Sequence, residues 1–466
     1  MSQRGLWLDE AYSVWFAGHD VTLWRAIADR WVRDGHPIIY PLYSWLLEPL
    51  FGISVATFRF INLGAMIFVM ARAWQVKRLK ADPNFYLIFA TLVASTPFFV
   101  LYAAEFRSYF FQLVLSACLI AQSRLLLENP RQKSLKFLIT ITAVVLINLH
   151  FIGSVSALLL VIAMAVPQAM RGRVREVRFL FAIALLGALG VLASMIAMLS
   201  AASPTQTNFT NSARALEVIL IPLVAGIVTN PPASLAAVLA VRRARAVDHF
   251  TVALLLALAT TAATLFVYNL AVHNVVMRFL MPAVPISSAL VAHNIVQFGI
   301  NSRKMMAFTV ICAAIAPPMW AAYGLINKRW ETHAAAIVAL RQECPTTSVV
   351  ALSTLSFVPP NDPLVRSIGT EASFKRAYAL VGEKYDFPLT VAYRKEARPV
   401  VEGTCPTLLW VEHAYIAPND PAALLQMGNL DFRSQPVQVK VLQQDHQRAL
   451  IAVLPAGYHR AAIPVP

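Results

Sequence analysis

The chain has 466 residues, 58% of them hydrophobic and only 14% charged, with a mean hydropathy of +0.61. It is too apolar and too sparsely charged for an ordinary soluble enzyme and reads as a polytopic membrane protein. The formal net charge of +15 raises the question of nucleic acid, but between residues 71 and 304 the basic residues cluster in short loops between apolar runs. They form no stripe interleaved with aromatics, so nucleic acid is not among the partners expected.

Residues 1–56 are amphipathic. Trp7, Tyr12, Trp15, Phe16, Trp24, Trp31, Tyr40, Tyr43 and Trp45 mix with acidic and basic residues, a composition suited to helices lying along the membrane–water interface. An adjacent acidic pair, Asp9 and Glu10, stands between Trp7 and Tyr12. Thr22 is placed to cap a helix over 23–33 that Gly35, His36 and Pro37 would end.

Apolar spans begin at residue 57, and about 20 residues are needed to cross a bilayer core. They are predicted near 57–76, 85–102, 106–127, 136–150, 151–169, 178–200, 214–241 with an interruption, 249–271, 277–299 and 305–326. The 136–169 run is too long for one span, and His150 followed by Gly153 marks the turn between two. Pro222 and the Asn230-Pro231-Pro232 stretch mark the 214–241 run as broken or re-entrant.

Basic residues fall in every second loop: around 72–80, 124–136, 171–178, 242–245 and 303–304. Those loops are assigned to the cytoplasm, which puts residues 1–56, the turns near 103–105 and 150, the loops 201–213 and 272–276, and everything after 327 on the outer side. An N-terminal segment on that side needs a helix to carry it there, so a further transmembrane helix is expected ahead of Met1.

After 327 the charge and proline content rise. Runs at 348–352, 408–411, 437–442 and 449–454 are β-prone and alternate with helical stretches at 332–341 and 371–381, the pattern of a small α/β domain. Cys344 and Cys405 lie within it and could pair if it faces an oxidising compartment, whereas Cys118 and Cys312 lie in apolar spans and read as small buried hydrophobes. The fold expected is an all-α polytopic bundle (57–327), with interfacial N-terminal helices (1–56) and a soluble outer-face α/β domain (328–466).

Charge at membrane depth is costly and tends to mark function. Asp9, Glu10, His36, Glu105, Arg107, His150, His273 and Arg278 are all assigned to one face of the membrane. The alternative for Glu105 and Arg107 is a local ion pair at a helix end. For Asp9 it is a cap on a helix beginning near Ala11.

The Leu6–Ser13 stretch (LWLDEAYS), followed by Gly35-His36-Pro37, Tyr40-Pro41-Leu42, Phe51-Gly52 and Arg59, resembles the first outer loop of GT-C superfamily glycosyltransferases. The likeness is to the bacterial branch that includes protein O-mannosyltransferase-like and aminoarabinose-transferase-like enzymes. It continues through Glu105-Phe106-Arg107-Ser108-Tyr109, Leu149-His150-Phe151 and the stretch from Arg278 to Pro285, in the same order over about residues 5–300. The usual His-Pro-Pro is here His36-Pro37-Ile38, and the first helix is absent.

The resemblance implies an integral protein of the bacterial inner membrane with its site on the periplasmic face. It would transfer a sugar, with inversion, from a polyprenyl-phosphate donor to a lipid-linked glycan or other envelope acceptor. An acceptor hydroxyl needs a general base, by resemblance Asp9, with Glu10 and Glu105 as companion carboxylates. A leaving lipid phosphate needs cations, for which the planar fork of arginine is suited: Arg107 first, Arg278 second and Arg59 third, with snorkelling to the interface the alternative for Arg59. Tyr102, His36 and His150 would orient substrate. No metal site or cofactor is assigned, although His36 and His150 with Glu48 or Glu105 could hold a divalent metal. A flippase of lipid-linked sugars, or an inactive scaffold, is the alternative to the enzyme.

Overall fold

The computed structural model describes residues 8–31, 37–52, 54–75, 83–200, 248–272, 277–297, 329–352, 368–392, 404–411, 438–444 and 447–454, with isolated positions between 220 and 318. Two compact units divide the chain: one spans Ala17–Gly324, and the other joins Gln3–Phe16 to Leu325–Pro466. The N-terminal segment expected over 1–56 is therefore shared between them. Apart from those isolated positions, the expected spans 214–241 and 305–326, with Cys312, lie outside the described residues, as does His36.

The helical unit opens with α2 (Leu23–Arg25), which runs directly into a π-helical turn over Ala26–Trp31. This corrects the simple helix expected over 23–33. Thr22 stands at the N-cap in extended conformation, but its side chain makes no capping hydrogen bond. The wider turn carries Arg30, which is buried and donates to the Gly18 carbonyl at 3.2 Å and to the Asp20 carboxylate. α3 (Ile39–Phe51) and α4 (Val55–Gln75) follow.

The span expected over 85–102 is two helices, α5 (Pro83–Ala94) and α6 (Pro97–Ala103), bent by 66°. The cause is local. Pro97 lacks an N–H and disfavours helical geometry in the residue before it, and Thr96 takes an extended conformation. Its hydroxyl then caps α6 by accepting from the Phe99 amide at 3.2 Å.

α7 (Tyr109–Glu128), α8 (Lys133–Ile147), α9 (Phe151–Met170), α10 (Val174–Ser200) and α11 (His249–Val272) complete the long helices. The run over 136–169 is two helices, as its length requires. The predicted 277–299 span begins as a 3-10 turn, Met277–Leu280, and becomes helix only in α12 (Ala283–Gln297). Among the described residues, five helices are long and apolar enough to cross a membrane, or six with the bent pair counted as one.

α7 is the centre of this unit. Within its apolar stretch 83% of the residues are buried, against 22% in α4 and α10, and it packs on α4, α5, α6, α8, α9 and α12. Its C-terminal end meets the basic loops: Arg171 and Arg173 donate Nη1 to the Leu127 carbonyl at 3.0 and 2.7 Å, and Lys136 pairs with Glu176 at 3.1 Å. Cations there satisfy the open carbonyls of a helix terminus, so two of the basic loops share one end of the bundle for a structural reason.

The second unit contains α1 (Leu8–Ala17, apart from its last residue), α13 (Arg329–Glu343), α14 (Ile368–Tyr385) and a five-stranded sheet. The strands are β1 (Ser348–Leu352), β2 (Leu389–Ala392), β3 (Thr407–Val411), β4 (Gln438–Gln444) and β5 (Gln447–Leu454), in the order β2-β1-β3-β5-β4. β1 runs parallel to β2 and β3, while β5 is antiparallel to β3 and β4. Alternate residues Val349, Ala351, Leu408, Trp410 and Ile451 face the helices and pack on Trp330, Ala334, Tyr378 and Val381. β3 is buried along its whole length, as a central strand covered on both faces must be. Cys344 and Cys405 form a disulfide with a Cα–Cα distance of 5.8 Å, tying the end of α13 to the start of β3.

Candidate active site

The site is built around the five-residue turn between α6 and α7. The Glu105 amide donates to the Tyr102 carbonyl at 3.1 Å, and the Gln112 amide to the Ser108 carbonyl at 3.0 Å, so the chain leaves one helix and enters the next within a single turn. Phe106 anchors it. Its ring is wholly buried, stacks on Phe58 of α4 at 4.2 Å and lies 6.2 Å from Tyr40 of α3, whose hydroxyl accepts from Asn62 at 3.0 Å. An apolar anchor between two polar neighbours takes those neighbours inward with it: Glu105 is 7% exposed and Arg107 8%.

Four of the residues expected at the site converge on a fifth that sequence reasoning did not single out. The ring of Tyr109, first residue of α7, lies 5.5 Å from Tyr102 and 5.8 Å from His150, and the guanidinium carbons of Arg107 and Arg278 lie 6.0 and 5.8 Å from its centroid. Tyr109 stands in the motif that carries Glu105 and Arg107, but its central position follows from the packing of four chain segments, which no local pattern encodes.

Each contributor is fixed by its own element. His150 is the N-cap of α9 and takes an extended backbone; its Nδ1 accepts from the Gly153 amide at 3.5 Å, which makes Nε2 the N–H of the neutral ring. Arg278 rides on the 3-10 turn, which packs on α9 and is seated by Leu280 against Leu265 and Val155. Gln112, one turn into α7, is fully buried, and among the described residues neither polar atom of its amide has a hydrogen-bond partner. Its Oε1 lies so near Gly153 that a Cβ there would be 2.1 Å away.

Arg59 is 2% exposed on α4, beside Phe58, and this corrects the snorkelling alternative, which needs a side chain reaching the surface. Asp9 and Glu10 lie in the first turn of α1, which begins at Leu8 rather than near Ala11, so Asp9 is not ahead of the helix as a cap would be. Glu10 is fully buried. The side chain of Asp9, like all of His36, lies outside the described residues. α1 belongs to the unit that contains the sheet, whereas Tyr102, Glu105, Arg107, His150 and Arg278 belong to the helical unit.

Among the described residues no group of three or more His, Cys, Asp or Glu side chains is arranged to hold a metal. Glu48, considered as a ligand, instead faces His19 at 3.8 Å, and the His19 ring stacks on Trp45 at 3.9 Å.

A second polar cluster occupies the other end of α7. His293, which the sequence reads as a packing residue of α12, places Nε2 2.6 Å from Asp248 Oδ2, and its Nδ1 accepts from Arg124 Nη1. Asp248 Oδ1 accepts from the Thr251 amide at 2.7 Å, capping α11. Arg124 lies 4.0 Å over the Phe85 ring and 3.9 Å from Glu128.

No protein-family model and no curated protein matches this chain. Among solved structures the chain is similar to the crystal structure of ArnT from Cupriavidus metallidurans bound to undecaprenyl phosphate, with 12% identity, coverage of 97% of this chain and 94% of that one, and a TM-score of 0.49.

Proposed function

We propose that this chain is an integral-membrane glycosyltransferase that moves a sugar from a polyprenyl-phosphate donor to a lipid-linked glycan or other envelope acceptor at the outer face of a bacterial inner membrane. The observation that carries the reading is the convergence of Tyr102, Arg107, His150 and Arg278 on Tyr109, at the end of α7 opposite the one that meets Arg171 and Arg173. Two guanidiniums gathered at one end of an apolar bundle suit a ligand with a long apolar tail and an anionic head. The Cys344–Cys405 disulfide supports an outer location for the sheet domain, because such bonds persist in oxidising compartments.

In the reaction, the acceptor hydroxyl oxygen bonds to the anomeric carbon as the bond from that carbon to the phosphate oxygen breaks. A single displacement of this kind inverts the anomeric centre. The hydroxyl proton passes to a carboxylate, by resemblance Asp9, and the phosphate departs with the electron pair, its added charge met by Arg107 and Arg278. Tyr102 and the Nε2–H of His150 are suited to orient the sugar. Arg59, Glu10 and Glu105 complete the charged set the reading draws on.

The test uses the full chain in liposomes with a panel of polyprenyl-phosphate sugars and a lipid-linked glycan acceptor. Sugar transfer is expected from the wild type and is abolished in Asp9→Asn with membrane insertion intact. Undiminished transfer by Asp9→Asn would sink the base assignment. Movement of intact donor across the bilayer without transfer would replace the enzyme by a flippase.

A further inference from the structure

Two helices carry both polar clusters. Tyr109 opens α7 and Arg124 lies fifteen residues later on it; Arg278 precedes α12 and His293 lies fifteen residues after Arg278. Arg278 meets Tyr109 at one end and His293 meets Arg124 at the other, so α7 and α12 run parallel and are joined at two levels. At about 1.5 Å per residue those levels are about 20 Å apart.

Between the joints, α12 is buried on nearly every side, Val284, Ile286 and Val291 as well as Ser287, Ser288 and Ala292, and both serine hydroxyls donate to the Val284 carbonyl of their own helix at 3.0 Å. Apolar burial is non-directional, so it resists sliding less sharply than a polar contact does. Axial register therefore needs a directional contact, and the second cluster supplies one. A guanidinium can only donate, so His293 Nδ1 accepts from Arg124 and the Nε2–H donates to Asp248, which is itself held by the Thr251 amide. Arg124 is seated on Phe85, so the neutral imidazole bridges a fixed cation and a fixed anion on three helices.

We propose that the Arg124–His293–Asp248 chain is a positioning clamp that sets the register of α12 on α7 and thereby holds Arg278 at Tyr109. The proposal rests on the reading of the Tyr109 end as the phosphate site. His293, Arg124 and Asp248 touch no substrate; they act through Arg278.

The experiment measures binding of a sugar-free polyprenyl monophosphate to the full chain in lipid nanodiscs. His293→Leu can neither accept nor donate and should weaken binding about tenfold. His293→Gln can do both through its amide and should stay within about threefold of wild type. In an Arg278→Ala background, His293→Leu should weaken binding no further, which a merely structural loss would not reproduce. If His293→Leu does not fold, Asp248→Ala, which releases the imidazole from α11 but not from Arg124 and also removes the α11 cap, should show a loss of binding that likewise vanishes without Arg278. Equal losses with and without Arg278, or wild-type affinity in His293→Leu while Arg278→Ala is weak, would overturn the clamp alone. Wild-type affinity in Arg278→Ala would overturn the phosphate site, and the clamp with it.

Discussion

The two ends of α7 use the same residue types in different ways. At its C-terminal end the partners form a closed chain, with Glu128 and Asp248 for charge balance and Arg124 pressed to 4.0 Å on an aromatic face. At its N-terminal end two guanidiniums lie 5.8 and 6.0 Å from one ring centroid, at the outer limit of a useful cation–ring contact. The closed end belongs to the fold; the convergent end suits an anion that would join its cations.

That contrast breaks most easily at the convergent end. Arg107→Ala and Arg278→Ala should each lower transfer on the order of a hundredfold, as expected for loss of a group that meets charge developing in the transition state. Any accompanying fall in melting temperature should be too small to account for the loss of transfer. Donor-dependent kinetics and thermal unfolding of the same preparations check both halves. A large fall in stability with transfer retained would reverse the assignment of the two ends.

At the closed end the expectation is the opposite. Arg124→Ala removes the donor to His293 and the neighbour of Glu128, and breaking a buried ionic chain by deleting one member costs about 3 kcal/mol. Thermal unfolding in detergent would register it as a clear downward shift. A change below about 0.5 kcal/mol, the usual size for surface sites, would show that the closed chain is not what holds this end together.

How much of this was legible in the sequence depends on how far apart the partners are. The ends of α7, α8, α9 and α10 follow from apolar runs meeting basic loops, and the break at His150 follows from span length. The α5–α6 bend carried its signal in Thr96-Pro97, which an apolar-run reading passes over. β2 is a four-residue run behind Pro388, too short to stand out alone. Tyr102, Arg107, His150 and Arg278 could be named because motifs carry them, and the structure brings all four to one ring. His293 could not, because its partners lie 45 and 169 positions away and only tertiary packing brings them together. For Asp9 the sequence motif and the membrane face expected from the loop charges remain the basis of the proposed role.

A smaller effect is expected where α7 meets α9. A methyl group at position 153 would stand 2.1 Å from Gln112 Oε1, and the buried amide has packed atoms around it. Gly153→Ala should cost about 1–3 kcal/mol, the usual range for overpacking. Gln112→Ala in the same chain should relieve most of that cost, and a double-mutant cycle on thermal unfolding measures the relief. Simple additivity would mean that the two side chains do not meet as described.

The smallest effect is reserved for an ion pair that resembles the closed end in chemistry but not in burial. Arg30 is buried, yet the Asp20 side chain it holds is 70% exposed. The hydrogen bond from Arg30 keeps the Asp20 carboxyl below its ordinary range, against the upward push of partial burial. A depressed folded value means that the contribution is present above the unfolded value, about 3.9, and is lost as pH falls through the folded value. Solvent screening limits it to about 1 kcal/mol or less, so Asp20→Asn should lower stability only slightly at neutral pH and converge with wild type in acid. If Asp20→Asn instead cost as much as Arg124→Ala, burial would not be what separates a structural ion pair from a surface one in this chain, and the contrast between the ends of α7 would need another cause.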